Sequence, residues 1–340
     1  RKVKPGQTFV AIKGHTVDGH NYISDAIKNG AVAIIAEKEV EVSVPIKIVP
    51  NSSEYLKEQL DRVLNQNDIT LNFLVRDDGS TDSTIDILKQ YEKEGKIKLI
   101  VGENIGYKKS FYELAKLAPL SDYYAFCDQD DVWDDDKLIT AVNMLERENN
   151  SIPLLYFSAL RVVNKNLKVK SVTHKKFIIS EYPFEQALTL NPVYGCAAVF
   201  NNALREKFLE YQEFEHSHDN NLNVLASALG KVVFDKTPHF SYRQHGNNCF
   251  GYPSSLKSMI KNIKWYFKYE VHNIRLKEMT KIKEKFYTEL SEHNKHFCDL
   301  VLNYRNSNQD KKALLNYKPY KTDSKLTNFY IRHLIKHEKL

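Results

Sequence analysis

The stretch YYAFCDQDDVW, residues 123–133, decides the expected fold of this 340-residue chain. It begins with the apolar run Tyr123–Cys127, which is typical of a buried strand, and continues into the acidic turn Asp128–Asp131. A second apolar run, Leu71–Val75, is followed by a pair of aspartates at 77–78. Ligands of open α/β sheets bind beyond the carboxyl ends of the strands. The two acidic turns are therefore expected at the binding edge of one sheet.

Strands and helices alternate around these runs. The apolar spacing predicts strands at 46–49, 71–75, 97–101 and 123–127 and helices at 54–64, 82–91, 110–117 and 137–145. This alternation is typical of a mostly parallel, Rossmann-like sheet with flanking helices. The expected fold class is therefore α/β, with the main domain at 46–252.

The segments on either side of that domain have other patterns. Residues 1–45 predict a small α/β fragment, with strands at 8–13 and 31–36, a helix at 21–29 and a charged linker at 37–44. Residues 253–340 predict a basic helical tail, in which apolar residues between 256 and 267 recur at helical spacing. Positions 254–340 hold 19 Lys and Arg against 9 Asp and Glu, while the whole chain has a net charge of +6. Such asymmetry indicates a region with its own partner or surface.

Composition excludes several classes of protein. Hydrophobic residues make up 42% of the chain and charged residues 27%, which suits a buried core. The four cysteines form no C-x-x-C pair, so we expect free thiols in a cytoplasmic protein rather than a zinc site or a disulfide framework. No apolar run approaches the ~20 residues that span a bilayer, and the N-terminus lacks the apolar core of a signal peptide.

The acidic turn Asp128–Asp131 is a candidate divalent metal site. Mg²⁺ and Mn²⁺ prefer carboxylate oxygens, and a cation held there could neutralise a departing diphosphate. The alternative is that these carboxylates cap the next helix and complement its dipole. That structural interpretation is favoured for Asp134–Asp136, which precede the helix predicted at 137–145 more directly.

Three further sites have both a functional and a structural interpretation. Asp77 and Asp78 could accept hydrogen bonds from a base or a ribose, or could serve the turn alone. Asp219 precedes a predicted helix, and it is either a general base for an acceptor hydroxyl or an N-cap. His245 could ligate a metal and Arg243 could pair with phosphate, or both could lie in a solvated loop.

Six stretches occur in the order found in one known family. They are YLKEQLDRVLNQ, VRDDGSTDSTIDIL, ENIGYKKSFYELA, YYAFCDQDDVW, YGCAAVFN, and SHDNNLNVLASALGKVVFD followed by YRQHGNN. Together they resemble the family-2 inverting glycosyltransferases, and most closely the bacterial rhamnosyltransferase-like branch. The resemblance covers the region 46–252 and implies a GT-A fold.

The resemblance also implies an activity. A sugar, rhamnose or a related one, would move from a dTDP- or UDP-linked donor to a hydroxyl of a cell-surface polysaccharide or lipid-linked acceptor, with inversion. Asp219 matches the family's catalytic base. Asp128 and Asp130 match its D-x-D motif for Mn or Mg, with Asp131 following and His245 as a further metal contact. The same motifs imply nucleotide contacts by Asp77, Asp78, Asn51 and Lys108, and phosphate or acceptor contacts by Arg243, Trp133 and Gly195.

The first residues resemble another family. The stretch RKVKPGQTFVAIKGHTVDGHNYISDAIKNGAVAIIAEK, residues 1–38, is similar to the N-terminal domain of Mur ligases, specifically UDP-MurNAc-tripeptide synthetase. Amide ligation there needs an ATP phosphate loop, and neither Gly95-Lys96 nor Gly230-Lys231 has its surroundings. The segment is therefore expected to be a truncated Mur-type piece.

The junction between the two resemblances leaves alternative functions open. Val49 and Pro50 stand where family-2 enzymes place a threonine and an aromatic residue before Asn51. The alternative function is therefore a non-catalytic chimera with an impaired nucleotide site. A UDP-muramyl-binding module at 1–50 is a third interpretation, although so short a segment buries little surface.

The basic tail also has two interpretations. It could dock on anionic phospholipid at the inner face of the membrane, near a lipid-linked acceptor. Alternatively, it could pack on the catalytic domain as a soluble helical appendage. Nucleic acid is not an expected partner, because no binding motif accompanies the charge.

Overall fold

The computed structural model describes residues 3–4, 8–11, 22–29, 33–36, 41–48, 53–174, 183–187, 191–244, 274–317 and 325–340. The strands are β1 (Thr8–Ala11), β2 (Ala33–Ala36), β3 (Glu41–Ile48), β4 (Thr70–Asp77), β5 (Lys98–Val101), β6 (Tyr123–Tyr124), β7 (Cys127–Asp128), β8 (Val132–Trp133), β9 (Leu154–Ser158), β10 (Arg161–Asn164), β11 (Val169–Val172), β12 (Ala198–Asn201), β13 (Lys231–Asp235) and β14 (Phe240–Gln244). The helices are α1 (Ile23–Lys28), α2 (Ser53–Leu64), α3 (Thr84–Lys93), α4 (Tyr107–Leu117), α5 (Lys137–Leu145), α6 (Phe184–Ala187), α7 (Asn202–Tyr211), α8 (His218–Leu229), α9 (Ile274–Phe286), α10 (Glu292–Asn303), α11 (Asn308–Asn316) and α12 (Lys325–Lys336).

A mostly parallel sheet forms the centre of the described structure. Its strand order is β13-β9-β12-β6-β3-β4-β5, and β7 pairs with β3 beyond the end of β6. Strand β12 runs antiparallel to both neighbours, while β3 is parallel to β4, β6 and β7. The expected α/β class with flanking helices is confirmed.

Strand β3 corrects the predicted linker. The charged residues at 37–44 suggested a connection between two units, but Glu41–Ile48 is one strand paired with β4 over its whole length, from Glu41↔Thr70 to Ile48↔Asp77. The alternation of Val42, Val44 and Ile46 is the strand pattern that the nearby charges concealed. The strand crosses the predicted boundary between residues 45 and 46.

A smaller sheet lies beside the main one, with strand order β11-β10-β14-β8. Strand β14 is parallel to β10, with Arg243 opposite Val163, and antiparallel to β8, with Phe240 opposite Trp133. Because β8 follows the acidic turn directly, this sheet holds the far end of that turn. The N-terminal strands β1 and β2 form a separate parallel pair.

Helix faces and strands share one apolar core. In α2 the buried apolar residues are Leu56, Leu60 and Val63, which confirms three positions of its predicted apolar face. All five residues of β9 and all four of β12 are buried, as expected for strands covered on both faces. The core therefore lies between the middle strands and the helices that flank them.

The acidic residues before α5 do not cap it by side-chain hydrogen bonds, contrary to the interpretation favoured from the sequence. Asp136 occupies the N-cap position without such a bond. Asp134 instead pairs with Arg161 at 2.5 Å, and Asp136 lies 3.2 Å from His239. These contacts join the start of α5 to the smaller sheet, because oppositely charged partners on β10 and beside β14 are within reach.

The C-terminal helix α9 packs against α7. The rings of Tyr211 in α7 and Phe286 in α9 lie 6.2 Å apart. Lys281 and Lys285 donate to the carbonyl oxygens of Gln212 and Glu210 at the end of α7, at 2.8 and 2.6 Å. Cations at a helix C-terminus are favourable, so part of the basic charge of the tail is used within the molecule. The amphipathic pattern predicted at 256–267 lies outside the described residues.

No helix in the described part of the chain is long and apolar enough to cross a bilayer.

Candidate active site

The turn after β4 is organised by Asp77. This residue is 1% exposed, and its Oδ2 accepts from the backbone amides of Gly79 and Ser80 at 3.0 and 2.9 Å. Its Oδ1 accepts from the Ser80 hydroxyl at 2.5 Å. Gly79 has φ 87°, a backbone conformation that suits glycine. Asp77 therefore uses both oxygens to hold the turn in place.

Asp78 is also buried, and it joins the turn to neighbouring elements. Its Oδ1 lies 2.9 Å from the Arg76 Nε, and its Oδ2 accepts from the Ser110 hydroxyl of α4 at 2.8 Å. The same Arg76 donates to the Glu103 carbonyl oxygen at 2.9 Å. A Cβ at Gly102 would lie 2.6 Å from the Arg76 guanidinium, so glycine leaves room for that side chain. Both carboxylates therefore have partners inside the protein. The nucleotide contacts predicted for Asp77 and Asp78 stay a prediction.

The second acidic turn begins one strand away. Strand β3 separates the two turns, because Ile48 is opposite Asp77 on one side and Lys47 is opposite Asp128 on the other. The carboxyl ends of β4, β3 and β7 therefore lie at the same level of the sheet. This arrangement agrees with the expectation that both acidic turns share the binding edge.

Asp131 is the innermost residue of this second turn. It is 0% exposed, and the donors nearest to its carboxylate are the Cys196 thiol and the Arg243 backbone amide, neither of them at good hydrogen-bond geometry. Burial raises its pKa well above the ordinary value of 3.8, and the nearby charges of Asp130 and Asp128 raise it further. Buried polar groups in folded proteins are nearly always hydrogen-bonded. Asp131 therefore has coordination capacity that the described chain leaves unused.

A cysteine completes this cluster. The potential ligand atoms of Asp128, Asp131 and Cys196 all lie within 4.8 Å of one another. Cys196 is 3% exposed and belongs to a single 3-10 turn, Gly195–Ala197, that leads into β12. Burial raises the pKa of its thiol, and the neighbouring carboxylate of Asp131 does so as well. The sequence analysis treated this cysteine as an ordinary free thiol, and its spacing from the acidic turn gave no signal.

The residues of the second turn fit a divalent cation. Two carboxylates and a thiol converge on one point, and oxygen and sulfur ligands of this kind bind divalent metals. A cation would add a positive partner for the weakly hydrogen-bonded oxygens of Asp131. Asp130, predicted as a metal ligand with Asp128, is 8% exposed in the same turn. The predicted His245 ligand lies outside the described residues, as does the predicted nucleotide contact Asn51.

Trp133 follows the acidic turn, and its side chain lies in the protein interior. It is 0% exposed, and the ammonium of Lys137 lies 3.6 Å from the centre of its ring. The Gln59 amide, oriented so that both of its groups are satisfied, accepts from the Trp133 indole at 3.2 Å and donates to the Asp131 carbonyl oxygen at 2.8 Å. Burial lowers the pKa of Lys137 to about 8. The predicted contact of the Trp133 side chain with phosphate or acceptor stays a prediction, made for a ring that protein atoms enclose.

Arg243 also supports the turn. Its Nε donates to the Asp130 carbonyl oxygen at 2.9 Å, its Nη1 to the Lys165 carbonyl oxygen at 3.0 Å, and its Nη2 to Glu58 at 2.5 Å. The guanidinium lies 4.5 Å from the centre of the Tyr55 ring, and the residue is 3% exposed. The predicted pairing with phosphate stays a prediction, made for a buried guanidinium that already donates three hydrogen bonds inside the protein. Arg243 joins α2, the acidic turn and the smaller sheet.

Asp219 lies in the first turn of α8 and is partly exposed. Ser217 occupies the N-cap position, so the alternative interpretation of Asp219 as the N-cap is wrong. One carboxylate oxygen accepts from the backbone amide of Asn220 at 2.8 Å. A role for Asp219 as general base stays a prediction.

Gly195 connects Asp219 to the acidic turn. A Cβ at Gly195 would lie 2.2 Å from the His218 Nε2, so the histidine ring occupies the space that a side chain would need. The His218 ring also packs on Phe111, with centroids 4.1 Å apart, and burial lowers its pKa. The Gly195 side of this turn therefore contacts the residue before Asp219, while the Cys196 side faces Asp131. The predicted phosphate or acceptor contact of Gly195 stays a prediction.

Two more links surround Asp219. Asn220 donates to Glu278 of α9 at 3.0 Å, and that carboxylate is 1% exposed. Lys108 of α4 donates to the carbonyl oxygens of Phe214 and Glu215 at 3.1 and 2.5 Å, just before α8. Lys108 was predicted to contact the nucleotide. That contact stays a prediction, and the third N–H group of the ammonium would make it. The sequence analysis missed Glu278, because its helix carried no motif.

Comparison with known proteins gives matches on both parts of the chain. Residues 46–209 match the family model described as glycosyl transferase family 2. A dTDP-rhamnosyl transferase, RfbG, from Shigella flexneri is 30% identical over 244 residues, which are 64% of this chain and 80% of that protein. The crystal structure of S. aureus TarS 1-349 in complex with UDP-GlcNAc has a TM-score of 0.54 and 17% identity, with coverage of 82% of this chain and 76% of that chain. At that identity the likeness to TarS shows the fold.

Residues 1–69 match a model described as Mur ligase family, catalytic domain, whereas the sequence suggested the N-terminal domain. The UDP-N-acetylmuramoyl-L-alanyl-D-glutamate--2,6-diaminopimelate ligase of Listeria monocytogenes is 58% identical over 52 residues, which are 15% of this chain and 11% of the ligase. The chain spans between 11% and 43% of the curated ligases of this name that it matches. The two family matches overlap at 46–69, which is where β3 ends and α2 lies.

Proposed function

The chain belongs to glycosyltransferase family 2 and is a glycosyltransferase, and from that premise we propose which transfer it performs. The donor is a dTDP- or UDP-linked sugar, rhamnose or a related one. The acceptor is a hydroxyl group of a cell-surface polysaccharide or of a lipid-linked intermediate. The reaction inverts the configuration at the anomeric carbon. The dTDP-rhamnosyl transferase among the relatives supports the choice of donor.

One observation carries the proposal. The Gly195–Ala197 turn meets the Asp128–Asp131 turn through Cys196 and meets the start of α8 through Gly195 and His218. This contact brings the candidate metal ligands and Asp219 to two sides of one short turn. A glycosyl transfer needs a group that accepts the acceptor proton and a centre that stabilises the leaving diphosphate, close together.

The proposed mechanism is a direct in-line displacement. The partly exposed Asp219 carboxylate accepts the proton of the acceptor hydroxyl as that oxygen attacks the anomeric carbon. The nucleotide would lie beside the Asp77–Asp78 turn, in which Asp77 holds the Gly79 amide and Asp78 is bonded to Ser110 of α4. Asp128, Asp130 and Asp131 would hold a divalent cation, which would supply charge neutralisation for the departing diphosphate.

Nucleotide binding is the first test. The purified protein is titrated calorimetrically with dTDP, UDP and GDP, with and without Mn²⁺. We expect dTDP or UDP to bind, and to bind more weakly without the cation. A folded protein that binds none of the three would support the alternative, a non-catalytic chimera with an impaired nucleotide site.

The role of Asp219 needs a separate experiment. Asp219→Asn should leave nucleotide binding unchanged and lower kcat by about 10²–10⁴-fold, since it removes the general base. The matched control is Asp86→Asn, which changes an exposed aspartate in the first turn of α3. Loss of nucleotide binding in Asp219→Asn would instead assign Asp219 a structural role.

Peripheral contact with the inner face of the membrane is part of the proposal. Its support is the excess of Lys and Arg at 254–340, where each basic residue near an anionic surface contributes about 1 kcal/mol. Flotation with vesicles that contain phosphatidylglycerol should carry the protein, and added salt should release it. A protein that stays in the aqueous fraction at low salt would restrict the tail to packing on the catalytic domain.

A further inference from the structure

The connection between α7 and α8 leads directly into Asp219, and helix α9 of the C-terminal region lies against it. Lys281 of α9 donates to the Gln212 carbonyl oxygen at 2.8 Å, and Lys277 pairs with Glu215 at 3.1 Å. Both contacts are exposed to solvent. Exposed charge pairs of this kind contribute little, so they do not by themselves fix the geometry of the connection.

Glu278 of α9 is different, because its carboxylate is buried against residues on both sides of Asp219. The side chain is 0% exposed. Its Oε1 accepts from the Asn220 side-chain amide at 3.0 Å and lies 3.7 Å from the His216 Nε2. Its Oε2 lies 3.4 Å from the Arg275 guanidinium of the same helix. Since His216 precedes Asp219 and Asn220 follows it, one buried oxygen contacts both ends of the short segment that carries Asp219.

Asn220 connects this buried carboxylate to the candidate base. Its side-chain amide donates to Glu278, while its backbone amide donates to the Asp219 carboxylate at 2.8 Å. Asn220 itself is 6% exposed. A buried charge is costly unless it is hydrogen-bonded, so the arrangement in which these bonds are made is strongly preferred. The two bonds therefore link the side chain of Asp219 to helix α9.

We propose that Glu278 is a positioning residue for the transfer: through Asn220 it holds the start of α8 so that the Asp219 carboxylate meets the acceptor hydroxyl. The inference rests on the proposed function, in which Asp219 accepts the acceptor proton. A displacement of about 1 Å at a reacting group costs on the order of 10²-fold in rate. The C-terminal region would then complete the active site, although α9 lies outside the residues 46–209 that the family model matches.

The test compares variants of the full chain by the release of dTDP from dTDP-rhamnose, with water in place of the acceptor hydroxyl. Glu278→Ala should lower kcat by about tenfold to 10²-fold and leave the KM for the donor unchanged. Asn220→Ala should give a similar loss, because it removes the side-chain bond and keeps the backbone amide that donates to Asp219. It also serves as the second variant in case Glu278→Ala does not fold. Wild-type kcat in both variants would overturn the proposal.

A double variant separates positioning from a general structural role. In a protein that already carries Asp219→Asn, Glu278→Ala should lower kcat no further, because residues that act through one group have non-additive effects. A loss of kcat that is as large in this background as in the wild type would overturn the proposal.

Met279→Ala is the matched control for stability. Met279 is the next residue of α9, is 0% exposed and belongs to the apolar core. Its truncation leaves a cavity, so the urea midpoint should fall by an amount comparable to that in Glu278→Ala. The kcat of folded Met279→Ala should stay at the wild-type value. Equal losses of kcat in the two variants would overturn the proposal and assign Glu278 to packing alone.

Hydrogen exchange gives a measurement that does not depend on turnover. Backbone amides at 212–222, followed by mass spectrometry, should exchange faster in Glu278→Ala than in the wild type or in Met279→Ala. Exchange in Glu278→Ala that equals the wild type would overturn the positioning role, whatever the kinetics.

The two proposals fail in different ways. A protein in which Asp219→Asn abolishes turnover but Glu278→Ala does not lower kcat keeps the proposed function and refutes the positioning role. A wild-type protein that releases nucleotide from neither dTDP-rhamnose nor UDP-GlcNAc refutes the proposed function and, with it, any role of Glu278 in transfer. Faster exchange in Glu278→Ala would then show only that Glu278 holds the start of α8.

Discussion

The two acidic turns at the edge of the main sheet have similar sequences and opposite bonding. Asp77 and Asp78 receive backbone amides, two hydroxyls and a guanidinium. Asp131, equally buried, has only the Cys196 thiol and the Arg243 backbone amide as nearby donors among the described residues, neither of them at good hydrogen-bond geometry. Paired carboxylates after a strand are therefore not one kind of site. What separates the turns is whether the chain supplies the donors or leaves the carboxylate for a ligand.

The largest effect on stability is expected from a change in the Asp77–Asp78 turn, whose carboxylates have partners within the protein. Asp78→Ala removes the partner of Arg76, whose side chain is 9% exposed, and leaves that guanidinium buried. Loss of one partner of a buried ion pair costs about 3–5 kcal/mol, so the free energy of unfolding in urea should fall by that amount. Asp86→Ala, an exposed change in α3, should alter it by less than about 0.5 kcal/mol. Equal stabilities of the two variants would contradict the contrast between the turns.

Asp131→Asn should have the opposite profile. We expect kcat/KM to fall by about 10²–10³-fold, because electrostatic stabilisation of the leaving group is lost. Stability without metal should not fall, because a buried carboxylate with only weak donors is removed. Burial raises the pKa of Asp131 above 3.8, so ionisation favours the unfolded wild-type chain as the pH rises above that value. The stability advantage of the variant should therefore grow with pH.

The check on Asp131→Asn is urea unfolding in EDTA at several pH values, beside a kinetic assay. Asp135→Asn is the matched control, since it changes an exposed aspartate four residues along the chain. A large loss of stability in Asp131→Asn with kinetics unchanged would make the second turn structural, like the first.

Gly195→Ala tests the turn that joins the two sides of the site. The new methyl group would lie 2.2 Å from the His218 Nε2, and the ring is backed by Phe111. Overpacking of this kind costs about 1–3 kcal/mol, and kcat/KM should fall because both Cys196 and Asp219 shift. The double variant with His218→Ala should recover part of the loss, since it removes the clashing ring. Additive effects of the two changes would show that the contact does not couple them.

The smallest effect is expected from Ser80→Ala. It removes one of three donors to Asp77 and should cost about 1 kcal/mol of stability, since the two backbone amides remain. Ser83→Ala is the control, because that serine precedes α3 and makes no side-chain cap bond. A change in kcat/KM larger than the change in stability would mean that the first turn also acts in catalysis.

Local patterns predicted much of the fold. Apolar spacing was enough for α2, whose predicted face is buried at Leu56, Leu60 and Val63. It was not enough for β3, because charges near residue 41 hid the alternation that begins at Val42. The run Tyr123–Cys127 forms two short strands, β6 and β7, and not one. Pairing with distant strands fixes such details, and one sequence does not show it.

The candidate site could be predicted only where its residues are close in sequence. The two acidic turns are local motifs, and the sequence located both. Cys196 meets Asp131 from 65 positions away, and Glu278 meets Asn220 from 58 positions away. The burial of Trp133 and Arg243 is equally non-local, since Gln59 bonds to the Trp133 indole and Glu58 pairs with Arg243 from far along the chain. Residue type indicated chemistry for these side chains, but their surroundings assigned a supporting role.

Strand β3 bears on how this gene can be divided. The glycosyltransferase match begins at residue 46, yet the strand that separates the two acidic turns begins at Glu41. A shortened gene that starts at the family boundary would delete five of the eight rungs that β3 shares with β4. Cloning of the catalytic part alone should therefore begin upstream of Glu41 and retain residues from the ligase-like segment. In this chain the boundary between the ligase-like segment and the glycosyltransferase match lies within the hydrogen-bonded pair β3–β4. A boundary chosen from the sequence match alone would cut through this pairing.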